Sequence, residues 1–196
     1  MGLLLGTDST YAPALSVGIE VLKERVRDIA RHARGLSYHV DSMALDLHAG
    51  LRETAVVIDA REGQEGEVAT ILWDQYSALC GGGPTVEEIG HAVEGFVEEL
   101  DGDDEAVVQS ELADAAYCTV ARIPFHPVAE VLADWRAMTP ERVATALRAA
   151  RGSAVLYLPE TARFPGIDGV HRRTMCNRQG TSRAARRSGP RRSPDW

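Results

Sequence analysis

The stretch Arg31 to Tyr38 reads R-H-A-R-G-L-S-Y and joins the first long helical pattern of the chain to its first extended run. Gly35 stands where the helix must end, because helices commonly close on a left-handed residue and glycine adopts that conformation without a clash. Arg31 then lies on the last helical turn and Tyr38 near the start of the strand. We expect both side chains to reach one patch beyond the helix end, where a guanidinium and a phenol offer donors.

Both residues also have an ordinary structural interpretation. An arginine on a last helical turn is favoured by the helix dipole alone. A tyrosine at the start of a strand is usual strand composition. The functional interpretation of Arg31 and Tyr38 therefore depends on the pattern around them.

The residues before and after this stretch predict a helix and a hairpin. Apolar residues recur at steps of three and four, which predicts one helix from about Pro13 to Arg34. Residues 36–47 and 51–60 form two extended runs joined by a short turn, so they predict antiparallel strands. The apolar alternation changes phase between Val40 and Met43, where we expect a bulge or a bend.

The rest of the body reads as helices followed by one strand. Thr85 and Glu88 form a capping box, and Thr139-Pro140 begins a later helix. Five helical patterns lie at about residues 68–79, 85–100, 108–120, 128–138 and 140–150, and an apolar strand at 154–158. In the third of these helices, the residues expected to face inward are Val108, Leu112, Ala115, Ala116 and Val120.

With the short apolar run Leu3–Leu5 at the start, the predicted order is β-α-β-β-α-α-α-α-α-β. The fold class is α+β, a mainly antiparallel sheet with helices packed on one face. Residues 1–160 form the domain. Residues 161–196 are rich in Arg, Ser, Gly and Pro without an apolar period, which predicts a disordered basic tail or the product of a reading-frame slip near residue 165.

The charge is divided between these two parts of the chain. Residues 1–160 hold 12 basic and 27 acidic residues, whereas residues 161–196 hold nine arginines and two aspartates. An acidic body repels phosphate, so we expect no nucleic-acid partner, and it favours basic peptides as substrates. No apolar run approaches the ~20 residues that span a bilayer, and the start lacks the basic segment of a signal peptide, so the expectation is a cytoplasmic protein without a membrane partner.

No self-contained active site follows from the residues. The number of cysteines is odd, and no C-x-x-C pair occurs among them; they are Cys80, Cys118 and Cys176. His-Glu-x-x-His and His-x-x-Glu-His are absent, and His91 and Glu94 are followed by glycine where a second zinc-binding histidine would stand. Neither a Gly-x-Ser-x-Gly elbow nor a Walker loop occurs. We predict no catalytic residue and no metal ligand in this chain.

Several segments together resemble one half-domain of the insulinase/pitrilysin-type zinc metallopeptidases, a family that includes mitochondrial processing peptidase. Residues 30–38, A-R-H-A-R-G-L-S-Y, match the segment L-R-x-x-x-G-L-x-Y of the zinc-free second half, with Ala30 in place of the leucine. The preceding helix, the hairpin, the glycine-rich connector into Thr85–Ile89 and the late helix from Met138 fall in the family's order. The resemblance covers about residues 3–160, with a first strand shorter than the family has.

The resemblance implies a non-catalytic, peptide-binding half or subunit. In this family one half carries the zinc, and the other contributes an arginine and a tyrosine that reach the bound peptide. Those two fall on Arg31 and Tyr38, whose donors suit a substrate carbonyl or the oxyanion that develops on it. The zinc would then be held by a partner half, and this chain would complete that partner's substrate chamber. Two alternatives remain: an inactive peptide- or protein-binding module of the same fold, and a degenerate gene fragment.

Overall fold

The computed structural model describes residues 1–8, 11–48, 51–101, 104–159 and 171–174. Its elements are β1 (Gly2–Thr7), α1 (Pro13–Val26), β2 (Val40–His48), β3 (Leu51–Ile58), α2 (Glu65–Gly82), α3 (Val86–Asp101), α4 (Asp104–Ala121), α5 (Val128–Arg136), α6 (Pro140–Ala150), β4 (Val155–Leu158) and β5 (His171–Thr174). A π-helical segment, Arg27–Ala33, continues α1. The predicted α+β class and the predicted order of elements as far as β4 are confirmed.

The strands form one five-stranded sheet in the order β2-β3-β1-β4-β5. β1 is the central strand and pairs antiparallel with β3 and with β4, while β2 pairs antiparallel with β3. The mainly antiparallel sheet predicted from the hairpin is therefore confirmed. The short apolar run at the start of the chain forms the middle of the sheet.

The last strand corrects one detail of the predicted tail. His171–Thr174 pairs in parallel with Val155–Leu158, so these four residues are ordered although the sequence predicted disorder for the whole segment 161–196. Composition alone missed this strand because its hydrogen bonds come from β4, a distant part of the chain. The rest of that segment, including Cys176, lies outside the described residues.

One face of the sheet is covered by helices, as predicted. α1, α2 and α6 pack against it. The strand residues on this covered face are almost fully buried; they are Leu3, Leu5, Val56, Ile58, Leu156 and Leu158. Burial of one such side chain contributes about 1.5–3 kcal/mol, so this layer contributes substantially to the stability of the fold.

Helices α1 and α6 approach closely because of one glycine. A Cβ atom placed on Gly18 would lie 3.0 Å from Leu147 Cγ, closer than ordinary van der Waals contact allows. Tyr76 of α2 joins the same contact, since its buried hydroxyl donates a hydrogen bond to the Leu147 carbonyl at 2.8 Å. The three helices are thereby fixed to one another above the sheet.

Two predicted helix starts are confirmed by their capping bonds. The Glu88 amide donates to Thr85 Oγ1 at 3.1 Å, and the Thr85 amide donates to Glu88 Oε2 at 2.7 Å, so the capping box is reciprocal. Thr139 Oγ1 accepts a bond from the Arg142 amide at 3.3 Å. These polar contacts set where α3 and α6 begin.

The predicted bulge between Val40 and Met43 is wrong. β2 pairs with β3 without interruption from Val40 to Asp46, and the register shifts only between Asp46 and His48. Since the strand stays regular, the change of apolar phase turns Met43 and Leu45 to the face opposite the helices. There they are 56% and 53% exposed.

The predicted inward face of α4 is wrong for four of its five residues. Val108, Leu112 and Val120 are exposed, Val120 by 84%, and Ala116 is exposed with them. Ala115 is half-buried as predicted, and it shares that side of α4 with Val107, Glu111 and Cys118. Glu111 Oε1 accepts a hydrogen bond from the Val128 amide at 2.7 Å, so a polar contact to α5 helps to orient this helix. Periodicity identified the helix but not its buried side, because α4 lies at the margin of the fold.

None of the helices in the described part of the chain combines the length and the apolar character that a membrane-spanning helix needs.

Candidate functional site

Two backbone hydrogen bonds close the helix end where the segment that joins α1 to β2 begins. The Gly35 amide donates to the Arg31 carbonyl at 3.2 Å, and the Leu36 amide donates to the Ala30 carbonyl at 2.7 Å. Gly35 has a φ of 61°, so the left-handed helix end predicted from the sequence is confirmed. Arg31 lies in the π-helical segment before it, and its side chain is exposed.

Asp59 fixes the backbone around Tyr38. Its Oδ1 accepts hydrogen bonds from Ser37 Oγ at 2.6 Å, from the Tyr38 amide at 2.9 Å and from the His39 amide at 2.8 Å. Burial raises the pKa of Asp59, but the bonds from Ser37, His39 and Tyr38 outweigh it and hold the pKa below its ordinary value. A charged Asp59 therefore organises the loop.

This loop explains why β2 begins later than predicted. The sequence placed the strand start at about Leu36, but Ser37, Tyr38 and His39 bond to the Asp59 carboxylate. The strand ladder with β3 begins at Val40. Side-chain bonds to the backbone compete with sheet pairing in this way.

Tyr38 presents its ring to solvent beside a second arginine. The Tyr38 side chain is 66% exposed, and the Arg61 guanidinium lies 5.0 Å from its ring centroid. The Arg61 amide also donates to the Leu36 carbonyl at 3.0 Å. We call Arg31, Tyr38, Asp59 and Arg61 the Arg–Tyr end of the molecule.

Arg31 and Tyr38 therefore lie at the same end of the fold, as the sequence suggested, but they do not contact each other within the described structure. Tyr38 is contacted by Arg61 instead. Arg34, three positions after Arg31, binds Glu67 of α2 at 2.7 Å. Among described residues Arg31 and Arg61 have no carboxylate partner, so their guanidinium groups remain available to a ligand.

Sequence reasoning missed Asp59 and Arg61 for a physical reason. Both contact Tyr38 from more than 20 positions away in the sequence, and the shape of the Tyr38 loop depends on these contacts. The one local signal was an aspartate immediately after the apolar strand β3, since Asp commonly bonds to backbone amides in loops. It indicated a turn but gave no partner.

An open apolar surface follows the Arg–Tyr end along the chain, since β2 begins two residues after Tyr38 and β3 ends one residue before Asp59. No described element covers the sheet face opposite the helices, which we call the open face. One row across it pairs Met43, Ala55, Leu4 and Val155 on four neighbouring strands. The open face also carries Leu45 and Val57, both exposed.

The two cavities described in this structure lie elsewhere. One, of about 1050 Å³, lies between α1, α3 and β2 and is bordered largely by charged side chains. The other, of about 410 Å³, is lined by aromatic rings that include Tyr11 and His126, stacked 3.7 Å apart. Arg31 and Tyr38 line neither of them. The Arg–Tyr end is thus a surface rather than a closed pocket.

The side chains do not fit a zinc ion. Within the described ranges no group of three His, Cys, Asp or Glu residues is arranged to hold a metal. His91 and Glu94 both lie exposed on α3 without a third ligand. A catalytic zinc needs three protein ligands and an open position.

Comparison with solved structures gives the fold a name. A peptidase M16 inactive domain from Pseudomonas fluorescens superimposes with a TM-score of 0.61 at 18% identity, over 76% of this chain and 37% of that one. The first half of the periplasmic protease PqqL from Escherichia coli gives 0.58 at 13% identity, over 76% and 36%. A protein from Yersinia pestis described as a predicted insulinase family protease gives 0.55 at 12% identity, over 85% and 41%.

The chain has the fold of an insulinase-type metallopeptidase half-domain. The predicted fold resemblance is therefore confirmed at the level of structure. The chain spans little more than a third of each of these three neighbours. No family model and no curated protein matches the sequence.

Proposed function

We propose that this chain is a non-catalytic, peptide-binding half or subunit of an insulinase-type zinc metallopeptidase. The observation that carries the proposal is the open face next to the Arg–Tyr end, on a half-domain fold of that family. An apolar sheet face without a cover is costly in water, so it favours a bound partner or peptide. In this proposal the open face forms one wall of a substrate chamber.

Arg31 and Tyr38 would contact the peptide at one end of that wall. Both side chains are exposed, and the loop that carries Tyr38 is fixed by the charged Asp59. A guanidinium and a phenol held in place can donate hydrogen bonds to a peptide carbonyl or to the oxyanion that forms on it. Such donors assist hydrolysis only when a second component supplies the attacking group.

That second component would be a zinc-bearing half or subunit. The described side chains offer no zinc site, so the metal and its activated water would come from the partner. This chain covers 36–41% of three of its structural neighbours, a share that fits one half of a two-half protein. A fragment of this size completes a chamber only together with other domains.

A mixing experiment tests the proposal. A quenched peptide library would be incubated with zinc and this chain, with zinc and a zinc-bearing half-domain from the same source, and with both proteins together. We expect cleavage only in the mixture, and we expect Arg31→Ala or Tyr38→Phe to reduce it by at least about tenfold, since one lost transition-state donor costs about 2.7–4 kcal/mol. Arg136→Ala on α5, an exposed arginine of another region, is the matched control and should change nothing.

The other outcomes separate the alternatives. Peptide binding without any gain in cleavage on mixing would favour an inactive binding module of the same fold. Neither binding nor association on a sizing column would favour a degenerate fragment. Cleavage by this chain alone would overturn the proposal, because it would require an active site within the chain.

A further inference from the structure

The backbone around Leu36 brings two arginines to one place. The Leu36 amide bonds to Ala30, the residue before Arg31, and the Leu36 carbonyl accepts the amide of Arg61. Two short hydrogen bonds, 2.7 Å and 3.0 Å, thus connect the helix end, the loop and the segment after β3. Arg31 and Arg61 approach the same loop from its two sides.

Two arginines at this place form no ion pair with any described residue. Among described residues neither Arg31 nor Arg61 is paired with a carboxylate, whereas the neighbouring Arg34 is neutralised by Glu67. The acidic group within the loop, Asp59, already accepts three hydrogen bonds through one oxygen. It therefore stabilises the loop backbone, and no ion pair joins it to Arg31 or Arg61 among the described contacts. The Arg61 guanidinium above Tyr38 and the exposed Arg31 guanidinium at the helix end therefore each offer donors to an anion.

Tyr38 holds one of these groups in position. A guanidinium above an aromatic ring is attracted to the ring face, and its N–H groups can still donate to a ligand. Asp59 fixes the backbone from which the Tyr38 ring contacts Arg61. This arrangement reduces the side-chain entropy that Arg61 would lose on binding.

We infer that Arg61 is a specificity-determining residue of the site at Arg31 and Tyr38, and that this site takes a peptide bearing a carboxylate. This inference rests on the proposed peptide-binding function. The guanidinium fork matches a carboxylate with two parallel hydrogen bonds, which a neutral or basic group cannot accept in the same way. The carboxylate comes either from an acidic side chain or from the C-terminus of the peptide.

The inference reverses an expectation from composition. The whole chain has a net charge of −8, which favours basic peptides at long range. The Arg–Tyr end differs locally, and a contact charge dominates over distant ones because salt screens exposed charges beyond about 8–10 Å. Selectivity for acidic peptides at physiological salt would therefore report the site and not the overall charge.

Four labelled peptides of equal length test this with the full chain by fluorescence anisotropy. One carries a central glutamate and an amidated C-terminus, one is neutral with a free C-terminus, one is neutral and amidated, and one carries a central lysine and is amidated. We expect at least one carboxylate peptide to bind about tenfold more tightly than the neutral amide, as a charge-assisted hydrogen bond permits. Which of the two binds more tightly identifies the source of the carboxylate.

Variants then assign the selectivity to Arg61. Arg61→Gln should remove most of the tenfold preference, and Arg61→Lys should retain part of it, since lysine keeps the charge but loses the fork. Arg136→Gln makes the same change of net charge on α5 and should leave the preference unchanged. Arg61 is exposed, so circular dichroism should find the variants folded.

Each contrary result has a distinct meaning. Equal binding of all four peptides, or tightest binding of the lysine peptide, overturns the carboxylate preference and leaves the proposed peptide-binding function standing. A preference that survives Arg61→Gln overturns the role of Arg61 alone. No binding of any peptide overturns this inference together with peptide binding by this chain.

Discussion

The two faces of the sheet are built from the same strands and have opposite environments. On the covered face, Leu5 is completely buried under the helices. On the open face, Leu45 of a neighbouring strand is 53% exposed, and no described element lies over it. Both faces carry large apolar side chains, although the open face also holds Asp41 and Glu53, so the apolar side chains alone do not distinguish the core from a surface for binding. What distinguishes them is whether the chain itself supplies the covering layer.

The largest expected effect sharpens this comparison directly. Leu5→Ala removes a buried side chain from the covered face and should lower the free energy of unfolding by about 2–5 kcal/mol. Leu45→Ala makes the same chemical change on the open face and should alter it by no more than about 0.5 kcal/mol. Urea titrations of the two variants and the parent chain measure both values. Equal losses would mean that the open face is covered.

A second expected effect concerns the loop beside the open face. Folding lowers the pKa of Asp59 below 3.8, its value in the unfolded chain. The ionised carboxylate therefore stabilises the fold when the pH is above 3.8. This stabilisation is lost as the pH falls through the lower pKa of the folded state. Asp59→Asn should therefore cost about 1 kcal/mol at pH 7, allowing for solvent screening, and progressively less below pH 3.8.

Urea titrations of parent and Asp59→Asn chains across this pH range supply the measurement. Glu98→Gln, which removes an exposed carboxylate on α3, is the control and should show little effect at any pH. A cost of Asp59→Asn that stays constant down to low pH would contradict the charged role of Asp59.

The smallest expected effect tests whether α4 competes with the open face as a binding surface. Val120 is 84% exposed, so Val120→Ser should change the free energy of unfolding by less than about 0.5 kcal/mol. It should also leave cleavage by the mixture with a zinc-bearing half unchanged. A stable Val120→Ser chain that no longer supports cleavage would assign the partner contact to α4 instead.

Local signals predicted most of the fold. The end of the first helix at Gly35 and the start of α3 at Thr85 each depend on one or two residues and their immediate neighbours. The order of elements followed from apolar spacing in the same way. These features are short-range, so a single sequence contains them.

The features that failed depend on distant partners. The buried side of α4, the start of β2 and the strand His171–Thr174 are each decided by what packs or pairs with them. The same reason applies to the site. Arg31 and Tyr38 were predicted from the family resemblance. The contacts of Asp59 and Arg61 depend on the folded shape of the loop, so the sequence did not predict them. Their roles in binding, like the cytoplasmic location, stay predictions.

The most direct test of the account is hydrogen–deuterium exchange on the mixture of this chain with a zinc-bearing half-domain, with and without a peptide from the cleaved library. The account predicts that peptide slows amide exchange in residues 35–45, at the Arg–Tyr end and along β2, and leaves α4 unchanged. Slower exchange in α4 with no change in residues 35–45 would contradict it, because the peptide would then lie on the helical side of the molecule.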